Sequence, residues 1–272
     1  MNVPSVTGYW LTAAALGACY APVLRGMYWQ WVTDEDMGHG LVVPLVVLWI
    51  VWRERERWRK VPLKPSAWGF AILGAAAGLH FVSRLGVGLF AGSVAFLVSV
   101  VGAVVCLGGF TLLRAWAFPL LLALFMLPKL AVVYNQVTLP LQLTASRLAA
   151  GMLTMTGMAV IRNGNILDVG GQLVAVEEAC NGIRYLLPLG FMAVVFAYVA
   201  DKRPWMRVAL LAAAVPVAIL GNAVRVAASG ARPALSAGTL HTVSGWVVFA
   251  LCMGLLMAVR SVIDMVLSWR HV

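Results

Sequence analysis

The sequence predicts an all-α polytopic membrane protein with about eight transmembrane helices. Hydrophobic residues make up 62% of its 272 residues and charged residues only 11%, which leaves too little polar surface to cover a soluble globule of this size. A bilayer core roughly 30 Å thick needs about 20 apolar residues per helix, so the chain has room for about eight spans with short connections. We therefore expect a single integral membrane domain over residues 1–272.

Apolar runs bounded by loop signals define the candidate spans. The first run has neither a basic leader nor a small-residue cleavage site, so we expect it to be a retained span and not a removed signal peptide. The second run is short and contains Pro44, so a re-entrant or partly buried element is an alternative there. The eight spans are expected at residues 8–27, 38–53, 66–83, 87–107, 109–127, 181–200, 205–228 and 242–268.

The distribution of charge fixes the expected orientation of these spans. The net charge of +10 arises largely from short loops, which is typical of cytoplasmic retention and not of nucleic-acid binding. The most basic loop therefore lies in the cytoplasm, together with the 201–207 loop and both termini, whereas the acidic 28–39 loop and the 128–180 segment lie outside. Six basic residues share the most basic loop: Arg53, Arg55, Arg57, Arg59, Lys60 and Lys64.

The long outer segment between the fifth and sixth spans predicts structure of its own. Residues 139–158 are apolar at helical spacing with Gln142, Ser146 and Arg147 interleaved, which favours an amphipathic helix lying along the outer interface. Residues 160–176 indicate short extended segments around glycine turns. We expect these segments to cover a site on the outer face and not to span the membrane.

Cys180 is the residue most suggestive of chemistry. It directly precedes a predicted helix, whose unsatisfied N–H groups and positive dipole end stabilise a thiolate. Arg184, one turn further on, adds positive charge, whereas Glu177 and Glu178 oppose it. The other three cysteines (Cys19, Cys106 and Cys252) lie within apolar runs, where we expect them to pack as small structural side chains.

Missing motifs narrow the chemistry that the chain can perform. There is no C-x-x-C pair and no second Cys or His at ligand spacing, which argues against a thiol oxidoreductase and a zinc site, so neither a metal nor a cofactor is expected. The G-x-S-x-G elbow, the H-E-x-x-H helix, the phosphate-binding glycine loop and paired intramembrane aspartates are missing too. A disulfide to Cys180 is the plain structural alternative, but no partner cysteine is expected on the outer face.

Arg225 and His241 are the other candidate catalytic residues. Arg225 should lie about five turns into its helix, near the outer surface, where it either extends to lipid headgroups or faces a substrate. Asn222, three residues earlier on the same face, makes a polar stripe that lipid contact does not require. His241 begins the last span; alone, such a histidine is commonly a cap or interfacial residue. The topology, fixed by other loops, sets Cys180, Arg225 and His241 on the outer face.

His39 accompanies three acidic residues in the outer 28–39 loop. We expect this polar group to be solvated, while His39 remains a candidate contact to the substrate.

Over most of its length the chain resembles the exosortase/archaeosortase family of polytopic membrane cysteine transpeptidases. The order and spacing of several short motifs carry the resemblance, although no single one is diagnostic. Many family members have serine after the cysteine, where this chain has Asn181; we expect that change to tune activity and not to abolish it. The motifs are Gly38-His39-Gly40, Phe125-Met126-Leu127-Pro128, Leu139-Pro140-Leu141-Gln142, Arg162-Asn163-Gly164-Asn165-Ile166, Glu178-Ala179-Cys180-Asn181-Gly182-Ile183-Arg184, Asn222-Ala223-Val224-Arg225, and His241 with Gly245.

The resemblance implies that Cys180 is the nucleophile and that Arg225 and His241 complete the site. It also implies substrates that are secreted proteins with a C-terminal PEP-CTERM-like sorting signal, in systems that often accompany exopolysaccharide production in Gram-negative bacteria. The expected location is then the inner membrane, with the site on the periplasmic face. Candidate substrate-binding residues are Arg184, Glu178, Asn222 and His39.

Two other classes of protein remain open on the sequence. One is a polytopic transporter or channel whose Arg225 and acidic outer loop handle an anionic or polymeric substrate, although discontinuous helices and inverted halves are not evident. The other is an assembly subunit of an export system, in which Cys180 would be dispensable.

Overall fold

The computed structural model describes residues 6–34, 36–176, 183–235 and 238–269. The chain divides into two compact units, Met1–Leu130 and Ala131–Val272. The first unit contains helices α1 (Val6–Cys19), α2 (Ala21–Thr33), α3 (Val42–Arg53), α4 (Arg55–Arg59), α5 (Trp68–Val82), α6 (Gly88–Ala115) and α7 (Ala117–Ala123), with 3₁₀ turns at Gly38–Leu41 and Leu124–Met126. The second contains α8 (Ala131–Met155), β1 (Val160–Asn163), β2 (Ile166–Val169), β3 (Gln172–Ala175), α9 (Ile183–Ala200), α10 (Pro204–Ala231) and α11 (Gly238–Trp269), with a 3₁₀ turn at Pro233–Leu235.

Within the described residues, four helices are long and apolar enough to cross a membrane, and three shorter apolar helices accompany them. The protein is therefore helical and multi-pass, as its composition predicts, while the number of eight spans stays a prediction. The long helices are Trp68–Gly86, Gly88–Ala115, Pro204–Ala231 and Gly238–Ser268. The first of them joins α5 to the π-helical turn that follows it. The shorter helices are Gly38–Arg53 and Ala117–Met126, each of which includes an adjoining 3₁₀ turn, and Leu186–Ala200.

The first predicted span is not one continuous helix, because the chain breaks at Tyr20 between α1 and α2. A proline follows at the start of α2, and its missing N–H removes a hydrogen bond that a continuous helix would need. Tyr20 is 4% exposed and its hydroxyl lies 2.8 Å from Ser99 Oγ. The polar group at the break between α1 and α2 thus contacts α6.

The predicted division between residues 107 and 109 coincides with a kink inside α6. Gly109 has φ +75°, a left-handed conformation within an otherwise helical segment. The loop before α5 occupies this break: Lys64 N–H donates to Gly108 O at 3.0 Å and Ser66 N–H donates to Val105 O at 3.2 Å. Carbonyls that the kink would leave without partners are therefore satisfied by the basic loop.

The acidic outer loop of the first unit is not simply solvated, contrary to the expectation from its charge. Asp36 is 7% exposed, and Lys129 Nζ lies 2.8 Å from Asp34 Oδ2 and 3.2 Å from Asp36 Oδ2. Burial disfavours the charged amine, but hydrogen bonds to the two carboxylates outweigh it and raise the pKa of Lys129. A buried carboxylate needs such a partner, which the sequence supplies about ninety positions away.

Small side chains hold α9, α10 and α11 together in the second unit. Ala193, Ala214 and Ala218 share a buried cluster with Cys252 and Leu256, and a Cβ at Gly221 would lie 2.4 Å from Cys252 Sγ. Small residues let membrane helices approach closely, where packing and not hydrophobic transfer drives association. Cys252 therefore packs as expected, whereas Cys19 is exposed on α1 and does not.

Charged groups connect the α9–α10 loop to α11. Asp201 accepts hydrogen bonds from Arg203, whose Nη2 also contacts Asp264. These hydrogen bonds from Arg203 hold the pKa of Asp201 well below its usual range. The cluster joins the loop that the charge pattern predicts to be cytoplasmic to the last helix.

The outer segment contains a longer helix than expected and a small sheet. The helix α8 starts at Ala131 instead of residue 139, and the three strands form an antiparallel meander in the order β1-β2-β3. Gly164 (φ +64°) makes the first turn, and Gly170 (φ +61°) and Gly171 (φ +90°) make the second. The extended segments and their glycine turns are thus where the sequence predicts them.

The polar residues of α8 contradict the interfacial water-facing arrangement expected for them. Gln142 is 7% exposed and Ser146 is fully buried, whereas Arg147 is exposed. Both buried side chains serve the sheet: Ser146 Oγ donates to Gly164 O at 3.0 Å, and Gln142 Oε1 accepts from Asn165 Nδ2 at 3.4 Å. The buried face of α8 therefore combines Gln142 and Ser146 with Ala145, Ala149 and Leu153.

Candidate active site

Arg225 lies on α10 with its side chain inside the protein. The residue is 2% exposed, so it does not extend to lipid headgroups, the structural alternative that its position near a helix end allowed. Arg225 Nη2 lies 2.7 Å from His241 Nε2 and donates to the His241 carbonyl at 3.2 Å. Burial of a charge destabilises the folded protein unless the charged group makes hydrogen bonds. A buried, hydrogen-bonded arginine is therefore typical of residues that act on a ligand or hold a catalytic partner.

His241 sits in the first turn of α11, which starts at Gly238 with φ +67°. Its Nδ1 lies 3.0 Å from the carbonyl oxygen of Leu235. Since a carbonyl only accepts and a guanidinium only donates, these two partners assign the proton to Nδ1 and the lone pair to Nε2. The contacts thus select one neutral tautomer, with a basic nitrogen directed at Arg225.

Two serines support this pair from neighbouring turns. Ser229 is 4% exposed and its Oγ lies 3.4 Å from the same Leu235 carbonyl that His241 uses. Ser244 Oγ donates to the His241 carbonyl at 2.8 Å. The Leu235 carbonyl oxygen therefore accepts from both Ser229 and His241, and the His241 carbonyl oxygen accepts from both Arg225 and Ser244.

Asn222 lies one turn before Arg225 on α10 and is 1% exposed. It borders a small cavity enclosed by α8, α9 and α10. Next to Asn222 the wall is otherwise apolar: Leu141, Ala145, Leu186, Ala218 and Ile219. The cavity has room for about one water molecule, so the role of Asn222 as a substrate contact stays a prediction.

Cys180, Glu177 and Glu178 lie outside the described residues, and so does the side chain of Arg184. The last described residue before them is Val176, which is 1% exposed and packs in the cluster that includes Val226 and Ala227 of α10. Four residues of chain extend at most about 14 Å. The covalent connection therefore keeps the Cα atom of Cys180 within that distance of Val176, which packs in one cluster with Val226, the residue after Arg225 on α10.

Hydrogen bonds fix the backbone at Val176. Val176 N–H donates to Asn165 O at 2.8 Å, and Asn165 Nδ2 donates to the Val176 carbonyl at 3.3 Å. The same Asn165 amide reaches Gln142 on α8. The start of the cysteine-bearing segment is thus bound to both the sheet and α8.

His39 belongs to the first unit, whereas Arg225 and His241 belong to the second. It lies in the 3₁₀ turn Gly38–Leu41, with its imidazole against the backbone of Asp36 and Phe125. Its role as a substrate contact stays a prediction.

Some residues of this site were not singled out from the sequence. Ser229 follows Arg225 by four positions and Asn222 by seven, a helical spacing that marks one face and could have revealed it. Asn165 was noted only as part of a turn motif. The Leu235 carbonyl has no signature in the sequence, because every residue carries one.

Fold and site together define a multi-pass helical membrane protein in which a buried arginine contacts a half-buried histidine. The profile of a family described as Transmembrane exosortase matches residues 31–258, from the last turn of α2 through most of α11. The chain belongs to the transmembrane exosortase family, whose members are in general cysteine transpeptidases acting in protein sorting. Neither the curated proteins nor the solved structures yield a significant match.

Proposed function

We propose that this protein is a membrane-embedded cysteine protease and transpeptidase that cleaves C-terminal PEP-CTERM-like sorting signals of secreted proteins. Cleavage takes place on the periplasmic face of the inner membrane, and both termini of the enzyme lie in the cytoplasm. Its protein substrates belong to exopolysaccharide or surface-protein systems. Membership of the exosortase family supports the reaction class.

The observation that carries the proposal is the hydrogen-bonded pair of Arg225 and His241. A transporter or an assembly subunit has no need for a histidine whose neutral tautomer is selected by a carbonyl on one nitrogen and a guanidinium on the other. An acyl-transfer enzyme needs a positioned base of this kind, together with a cation for developing negative charge. Val176, four residues before the proposed nucleophile Cys180, packs in the same cluster as Val226 of α10, which supports a nucleophile near the pair.

The reaction starts when the Cys180 thiol gives its proton to His241 Nε2 and the sulfur attacks the substrate carbonyl carbon. Arg225 donates to the oxyanion that forms. The C–N bond then breaks, the leaving amine takes the proton back from Nε2, and a thioacyl intermediate remains on Cys180. An amine, a hydroxyl or water then attacks the thioester and gives its proton to His241. The C–S bond breaks, and His241 passes this proton to the sulfur, which leaves as the thiol.

Protonation of His241 also changes what Arg225 can do. An imidazolium has donors on both nitrogens, so its Nε2 can no longer accept from the guanidinium. Arg225 keeps the His241 carbonyl as an acceptor at 3.2 Å. The freed N–H group then becomes available at the step in which the oxyanion develops.

Four further residues serve substrate binding in this proposal. Asn222, beside the small cavity, orients the backbone near the scissile bond. Arg184 binds the glutamate of the sorting motif through paired charge-assisted hydrogen bonds, and Glu178 and His39 contact the flanking polar residues.

Processing of a reporter with a C-terminal Pro-Glu-Pro sorting signal tests the function. Membranes containing the wild-type chain are compared with membranes containing Cys180→Ala or His241→Ala at matched expression, and Cys106→Ala, a half-buried cysteine of the first unit, serves as the control. We expect wild type and Cys106→Ala to shorten the reporter, while each site variant loses at least 100-fold in rate.

Two outcomes of this experiment would contradict the enzyme. Equal processing by wild type and Cys180→Ala would remove the cysteine from the chemistry. Failure of the wild-type chain on every sorting-signal protein of its own genome would favour the transporter or the assembly subunit.

A further inference from the structure

We infer that Ser229 is a positioning residue for the reaction and that it acts on His241 through the carbonyl of Leu235. The backbone oxygen of Leu235 takes the place that a carboxylate occupies in many cysteine and serine enzymes, where it orients the imidazole and fixes its tautomer. The catalytic part of this inference rests on the proposed function, whereas its tautomer part rests on the structure alone.

The geometry shows one acceptor shared by two donors. Leu235 O lies 3.0 Å from His241 Nδ1 and 3.4 Å from Ser229 Oγ. Ser229 is 4% exposed, so its hydroxyl has little access to water and the carbonyl is its partner. A hydrogen bond to the carbonyl from Ser229 holds the oxygen in position for the ring.

The local fold explains why the carbonyl needs this support. α10 ends at Ala231 and α11 starts at Gly238, so Leu235 lies in the short connection between them, in the 3₁₀ turn Pro233–Leu235. Its N–H donates to Arg232 O at 2.9 Å, which fixes the backbone on the N-terminal side of Leu235. The hydroxyl of Ser229 on the rigid helix α10 fixes the carbonyl side.

The position of Ser229 also couples the two members of the pair. Ser229 lies four residues after Arg225, and so one turn further along α10. Arg225 contacts Nε2 of His241 and Ser229 reaches, through Leu235, Nδ1 of the same ring. One helix therefore determines which nitrogen carries the proton and where the imidazole lies.

Nitrogen NMR of histidine tests the inference without any substrate. The chain is labelled with ¹⁵N-histidine in detergent micelles, and His241→Gln identifies the signals of His241. We expect wild type to show His241 with a protonated Nδ1 and an unprotonated Nε2. Ser229→Ala should shift part of the population to the other tautomer, and Ser229→Thr, which keeps a hydroxyl, should restore the wild-type spectrum.

Ser261→Ala is the matched control, because it removes a helix hydroxyl that bonds only within α11, to Met257 O at 3.0 Å. Its His241 signals should equal those of wild type. If Ser229→Ala does not fold, Ser229→Cys, with a weaker donor, takes its place and should show a smaller shift in the same direction. His241 signals identical in wild type and the Ser229 variants would overturn the inference.

The reporter assay tests whether Ser229 contributes to catalysis. Ser229→Ala should lower the rate of processing about 3- to 10-fold, the usual effect of one lost supporting hydrogen bond, with little change in the reporter concentration needed for half the maximal rate. A tautomer shift with no processing by any chain would leave the positioning role intact and refute the proposed function instead. A tautomer shift in Ser229→Ala with a wild-type rate would overturn the catalytic role of Ser229.

Discussion

At the scale of single residues, the site depends on which group donates and which accepts. Arg225 can only donate and the Leu235 carbonyl can only accept, so the ring between them has its proton assigned by its neighbours. Asn222 adds a buried amide one turn away on the same helix face. The pair therefore needs the shape of a guanidinium as well as its charge.

Replacement of Arg225 by lysine tests that requirement. Arg225 Nη2 lies near both Nε2 and the carbonyl of His241, and a lysine ammonium, a compact charge without the planar fork, cannot reproduce both contacts. We expect Arg225→Lys to lower reporter processing by roughly 100-fold, the order found for loss of an oxyanion donor, at an unchanged amount of protein in the membrane.

The control is Arg147→Lys, at an exposed arginine of α8, which should process the reporter like wild type. An Arg225→Lys variant with at least half of the wild-type rate would mean that the guanidinium geometry does not matter.

At the scale of elements, the kink of α6 binds the basic loop to the membrane helices. Gly109 has φ +75°, and a Cβ there would lie 1.8 Å from the Lys64 carbonyl oxygen. The two hydrogen bonds from the loop to Gly108 and Val105 depend on this close approach. Glycine is thus required at position 109 for both its conformation and its lack of a side chain.

We therefore expect Gly109→Ala to destabilise the protein by about 2 kcal/mol or more, from backbone strain together with displacement of the loop. Gly74→Ala is the matched control, because Gly74 lies in α5 with no atom near its Cβ position, and alanine there should be neutral or slightly stabilising. Thermal unfolding in detergent measures both. Equal unfolding temperatures for wild type and Gly109→Ala would contradict the role of the kink.

At the scale of the whole molecule, the described helices establish a multi-pass membrane protein, and the charge pattern predicts its orientation. The proposed function requires the sheet to lie outside and the basic loop inside. Single cysteines test this in a chain whose four native cysteines are replaced. Asp168→Cys should react with a membrane-impermeant maleimide in intact spheroplasts, and Lys60→Cys should react only after permeabilisation; the reverse pattern would refute the orientation.

Much of the fold follows from the sequence because hydropathy and glycine turns act locally. The strands between Val160 and Ala175 and the long α10 and α11 fit their predicted positions. The burial of Gln142 and Ser146 was not predicted, because their spacing with Ala145 and Ala149 resembles a water-facing stripe. In a membrane protein that same stripe of polar and small residues packs inward, since lipid accepts the bulky apolar side chains.

The candidate site was only half accessible to sequence reasoning. Arg225 and His241 are conspicuous because charged residues are rare near membrane helices, and the structure brings them into contact. The Leu235 carbonyl and the hydrogen bonds of Asn165 arise from backbone geometry, which no residue type encodes. Cys180 lies outside the described residues, so its role continues to rest on the family and on its short connection to Val176.

The open edges of the small sheet bear on how deeply α10 can lie in a bilayer. Among the described residues β1 and β3 each pair only with β2, so the meander ends in open edges that hydrocarbon would not solvate. Leu167 of β2 packs with Val226 and Ala227 of α10, one and two positions after Arg225. In the proposed orientation the sheet lies outside the hydrocarbon core, and its contact with α10 then limits how deeply the Arg225–His241 pair can lie in the bilayer.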